Sequence, residues 1–65
     1  MKVNDILKLV NGATQQQPIY LQPLEYGLPA RKAEPMDLNG YYYPEKYLTV
    51  KGVEVLKDRV VIRYQ

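Results

Sequence analysis

Apolar positions fall at helical spacing once, near the amino end. Val3, Ile6, Leu7 and Val10 recur at three- and four-residue intervals and predict a short helix over residues 3–11 with a single apolar stripe. Asn4 is the expected N-cap, Asp5 suits the positive end of the helix dipole, and Gly12 is the expected left-handed residue that stops the helix. A helix this short does not persist alone, so its stripe has to dock on something. The remaining pattern alternates. Residues 18–23 form a short apolar run bracketed by Pro18 and Pro23, which predicts a strand that lies at an edge or ends abruptly. Residues 24–35, with Gly27, Pro29 and Pro35, read as the main irregular loop.

Two hairpins are expected further on. Asn39-Gly40 is a strong two-residue turn signal, which would set Leu38 against Tyr41 and Met36 against Tyr43, with Asp37 and Tyr42 on the other face. Pro44-Glu45-Lys46-Tyr47 would then make one helical turn, with Pro44 at its first position. The closing segment is the clearest element. A turn at Lys57-Asp58, with a loop of either two residues or four, sets Val55 against Val60 and Val53 against Ile62, so four β-branched side chains share a face. Glu54, Leu56, Val61 and Arg63 fall on the reverse face, with Glu54 diagonal to Arg63. The parts assemble as one α+β domain over residues 1–65: one short N-terminal helix packed on an antiparallel sheet of four to six strands, ending in a C-terminal hairpin. The expected core is Ile6, Leu7, Val10, Leu21, Leu38, Val53, Val55, Val60 and Ile62.

Composition changes the picture mainly by what it lacks. The 65 residues include no His, Cys, Ser or Trp. Thiolate, imidazole and serine nucleophiles are therefore not encoded, nor are the usual ligands of a structural zinc site. The acids Asp5, Glu25, Glu34, Asp37, Glu45, Glu54 and Asp58 are spread along the chain, and a domain this small seldom builds the enclosed cleft that acid/base work needs. No enzyme, catalytic residue, cofactor or metal is expected. No apolar run is long enough to span a membrane, and residues 1–5 lack an apolar leader, so a cytoplasmic location without membrane attachment is the expectation.

What remains is adhesion. All seven aromatic residues are tyrosines, side chains with a large apolar body and a polar tip that favour interfaces. Tyr41, Tyr42, Tyr43 and Tyr47 are the candidate contacts with a protein partner, and Arg59 and Arg63 the polar rim. Three consecutive tyrosines cannot share one face of a strand, so at least one should be exposed. An alternative is a nucleic-acid binder in which Arg31, Lys32, Arg59 and Arg63 meet phosphates while tyrosines stack on unpaired bases. A net charge of +2 gives only a weak field for it, which ranks this reading second. A structural subunit of a larger assembly is a third. With no disulfide or metal as a staple, homo-oligomerisation is a natural supplement to a thin core.

Two patches carry a resemblance. The opening KVNDILKLVNG (residues 2–12) resembles the start of many short proteins of phages and mobile elements of Gram-positive bacteria, and the closing VKGVEVLKDRVVIRY (residues 50–64) is similar to their final hairpin. Some proteins of that size from such elements, anti-CRISPR proteins among them, bind and block host or defence proteins. The resemblance implies a binding role and assigns no functional residue. A net charge of +2 also argues against inhibition by imitating DNA.

Overall fold

In the computed structural model, which describes residues 1–13, 17–34, 37 and 42–65, the elements are α1 (Val3–Ala13), β1 (Ile19–Pro23), β2 (Arg31–Lys32), β3 (Val50–Val55) and β4 (Val60–Tyr64). The fold is α+β, and its four strands form one sheet in the order β2-β1-β4-β3. The sheet is mixed: β2 and β3 pair antiparallel with their neighbours, while the central pair β1 and β4 runs parallel from Ile19↔Val60 to Pro23↔Tyr64. Strand β1 is central rather than an edge. Its prolines are tolerated because they sit at its ends, and beyond Pro23 the Leu24 N–H still reaches the Tyr64 carbonyl at 2.9 Å.

Helix α1 starts at the expected residue, runs two residues past the expected end, and is capped differently. Lys2, not Asn4, stands at the cap, its carbonyl accepting the Asp5 N–H at 3.0 Å. The Lys2 N–H donates in return to the Asp5 carboxylate at 3.3 Å, half of a reciprocal capping arrangement. The orphan N–H groups of Val3 and Asn4 donate to the carbonyls of Leu48 at 2.9 Å and Lys46 at 3.0 Å, so a distant segment finishes the helix. Gly12 does not stop it. It lies inside α1 without positive φ, and among the described glycines only Gly27 takes positive φ, at +88°. Gly27 is the third residue of a turn closed by Leu28 N–H to Glu25 O at 3.4 Å, a position that demands left-handed backbone.

The core is built from Val3 and Leu7 of α1, Ile19 and Leu21 of β1, Val60 and Ile62 of β4, with Ala33 and Tyr43; Ile6 and Val10 pack at its margin. The register of the terminal hairpin is the expected one, Val53↔Ile62 and Val55↔Val60, and Leu56 N–H to Arg59 O at 2.8 Å closes a two-residue loop at Lys57-Asp58. Yet Val53 and Val55 are not core: they remain 40% and 65% exposed. A helix about 10 Å wide spans roughly two strands spaced at about 4.8 Å. Helix α1 packs on β4, and Glu45 and Asp37 are tied to Arg31 at the β2 side, so the outermost strand β3 goes largely uncovered on that side.

The expected hairpin around Asn39-Gly40 falls mostly outside the described residues, as does Leu38; Tyr42 and Tyr43 are not in a strand. Residues 44–47 form a turn, with Lys46 N–H to Tyr43 O and Leu48 N–H to Glu45 O both at 3.1 Å. The loop expected over residues 24–35 contains β2, whose pairs are Tyr20↔Lys32 and Leu21↔Arg31.

Candidate partner-binding surface

Alternation along β1, β2 and β4 sends Arg31 to the helix side of the sheet and Tyr20, Lys32, Val61 and Arg63 to the other. Arg31 is thereby withdrawn from any role toward phosphate. Its Nε and Nη2 donate to the two oxygens of Glu45, both at 2.9 Å, and its Nη1 to Asp37 Oδ2 at 3.1 Å. Both carboxylates are buried, and Asp37 also accepts the Glu34 N–H at 2.7 Å. The Arg31 hydrogen bonds hold the Glu45 carboxyl below its ordinary pKa, and those to Glu45 above all raise that of the guanidinium. Two carboxylates do converge here, but with a guanidinium forked onto both they form a clamp tying β2 to residues 37 and 45, not an acid/base pair. The clamp was not legible in the chain order, since its partners lie fourteen and six residues away, outside the strand that carries Arg31.

The tyrosine candidates separate. Tyr43 is only 3% exposed; its ring fills the core and its hydroxyl donates to Asn4 Oδ1 at 3.5 Å, so it is no contact for a partner. Burial pushes its phenol pKa up. Tyr42 and Tyr47 are 78% and 65% exposed, and Lys46 Nζ lies 5.6 Å from the Tyr47 ring. Tyr41 lies outside the described residues. Tyr26, absent from the expected set, is fully exposed at the tip of the Glu25–Leu28 turn.

Arg59 and Arg63 sit away from these tyrosines, on the face of the sheet that α1 leaves open. There Tyr20, Val61, Leu56 and the two arginines line a shallow groove of about 490 Å³. The Arg59 guanidinium lies 5.0 Å from the Tyr20 ring centre and pairs with Asp58 at 3.3 Å, while Arg63 pairs with Glu54 at 3.0 Å across the strands, as the diagonal spacing implied. A second, mainly apolar hollow of about 300 Å³ lies between Leu24, Leu28, Leu48 and Tyr64 at the far ends of β1 and β4.

The β3 edge is the third feature. Thr49 exchanges two hydrogen bonds with Gln65, and the Val50 N–H turns outward to the Met1 carbonyl at 2.8 Å, so Met1 and Lys2 fringe the start of the strand. A register shift between Val50 and Gly52 follows. Because the Leu56 N–H points to β4, strict alternation turns Glu54 and Gly52 toward β4 and the N–H and C=O of Val53 and Val55 away from the sheet. Among the described residues no strand pairs with that stretch.

Among the described residues no cluster of three or more His, Cys, Asp or Glu is arranged to hold a metal, and no helix is long and apolar enough to cross a membrane. Searches against family models, curated proteins and solved structures return no match to this chain.

Proposed function

We propose that this protein is a non-enzymatic, cytoplasmic interaction module of the kind carried by phages and mobile elements, which its two terminal segments resemble, and that it binds a protein partner by accepting a strand on the β3 edge. The observation that carries the reading is the coincidence at Val53 and Val55 of outward-facing backbone groups with exposed apolar side chains. Such an edge supplies affinity through main-chain hydrogen bonds and selectivity through the alternate side chains. Arg63 and Glu54 form the polar rim on the open face, and Tyr47 and Tyr42 offer further contact area on the side of the helix.

The test is affinity capture with the parent protein and a Val55→Pro variant side by side. Proline at 55 removes an outward donor and leaves the ladder to β4 intact. The reading expects a partner that the parent retains and the variant loses. Partners held equally by both would sink it.

A second reading, a single-strand nucleic-acid binder, is favoured by one observation: Arg59 stacked over Tyr20 with Lys32 and Arg63 on the same open face. It expects oligonucleotide binding that weakens steeply between about 50 and 200 mM salt and is lost in Tyr20→Ala. Binding that does not respond to salt would dismiss it.

A further inference from the structure

We infer that the strand which best fits the β3 edge is β3 of a second copy of this chain, added antiparallel about a two-fold axis through Glu54. The inference rests on the strand-addition reading above and goes on to name the partner. Register selects this partner. Met1 and Lys2 occupy the edge up to Val50 and the register shift spoils it at Lys51, so the usable stretch runs from Gly52 to the turn at Lys57. Within that window the outward groups belong to Val53 and Val55. Only one symmetric register pairs both of them with outward groups of the same window: Val53 opposite the partner copy's Val55, and Val55 opposite its Val53. That register makes four main-chain hydrogen bonds and leaves none of the four outward N–H groups idle.

The side chains agree with it. A two-fold perpendicular to the sheet keeps both helices on one side, so the exposed Val53 and Val55 of each copy meet as a four-valine cluster between the helices. On the open face Glu54 meets its own counterpart, a like-charge contact that would oppose pairing by itself. Each Glu54, however, already carries its own Arg63 at 3.0 Å, so the four groups around the axis sum to zero charge. The opposite edge offers no equal: β2 is two residues long. A contact of one short strand per copy falls below the area of a stable dimer, so the dimer is weak and concentration-dependent.

The chain contains no Cys, which makes the register directly testable. Non-hydrogen-bonded antiparallel partners hold their Cα atoms about 4.5 Å apart, within the range a disulfide spans. A Glu54→Cys variant should therefore oxidise to a covalent dimer, while Gly52→Cys and Leu56→Cys, each displaced from the axis, should not. Sedimentation equilibrium of the unmodified protein should show a monomer–dimer equilibrium that Val55→Pro weakens at least tenfold. Cross-linking at 52 or 56 in preference to 54, or a parent protein that stays monomeric into the millimolar range, overturns the inference. A monomeric parent that still loses a foreign partner on Val55→Pro overturns self-pairing alone; one that shows no dependence on Val55 in either assay overturns both.

Discussion

Arg31 shows how much one side chain can organise in a chain this small. Its fork satisfies both oxygens of buried Glu45 and reaches Asp37, so residues 37 and 45 are both tied to β2. Arg31→Ala leaves two buried carboxylates without their countercharge and should cost about 2 kcal/mol in urea denaturation, discounted for the partial exposure of the guanidinium. Arg31→Lys should recover less than half of that, because a point charge cannot reproduce the two parallel hydrogen bonds. The pH dependence has a definite sign. Glu45 holds its proton less tightly folded than unfolded, so at acid pH the unfolded chain binds more protons and stability falls as pH drops below the ordinary value of 4.5. It goes on falling until the folded carboxyl is itself protonated. Glu45→Gln should flatten that part of a denaturation midpoint-versus-pH curve, and an unchanged slope would show that Glu45 does not contribute it. None of this was readable in the chain order, where Arg31 stood beside Lys32 as one more basic residue.

At the scale of elements, α1 and the β3–β4 hairpin were legible for a local reason. Their signals, a three-to-four spacing of Val3, Ile6, Leu7 and Val10 and an alternation on either side of Lys57-Asp58, lie within a dozen residues of chain. The capping of α1 was not, since its first turn is finished by carbonyls of Leu48 and Lys46. Two glycines separate local expectation from structure. Gly12 lies within the helix with open space where a Cβ would stand, so Gly12→Ala should raise stability by about 0.5–1 kcal/mol; a C′ glycine would give the opposite sign. Gly27 also faces open space but takes a φ of +88°, so Gly27→Ala should lower stability by about 1 kcal/mol. Thermal unfolding of the pair checks both directions.

For the molecule as a whole, helix α1 over the four described strands sets the balance between core and surface. Val3, Leu7, Leu21, Val60 and Ile62 are fully enclosed and little else is. Leu7→Ala should cost about 3 kcal/mol, enough to lower Tm by at least roughly 12 °C in a domain of this size. The side of the sheet that α1 leaves open and the β3 edge are consequences of the same shortage of covering layer, which places the candidate binding surfaces where packing material runs out. If copies pair through β3, the parent's Tm should rise with protein concentration, whereas that of Val55→Pro should stay constant.

Local periodicity by itself determined that this chain makes a helix followed by short strands, and the residue inventory set aside thiol, imidazole and serine chemistry. The terminal hairpin's register, down to Glu54 meeting Arg63, was written in twelve consecutive residues. Tertiary structure alone decided that β1 lies in the middle of the sheet beside β4, that Arg31 is spent on a clamp, and which valines and tyrosines are buried. A face is covered or bare according to what crosses it, and the groups that cross this sheet come from parts of the chain far apart in sequence. Val55 and Val60 are alike in letters and paired in the hairpin; only what covers the sheet makes one a surface and the other a core.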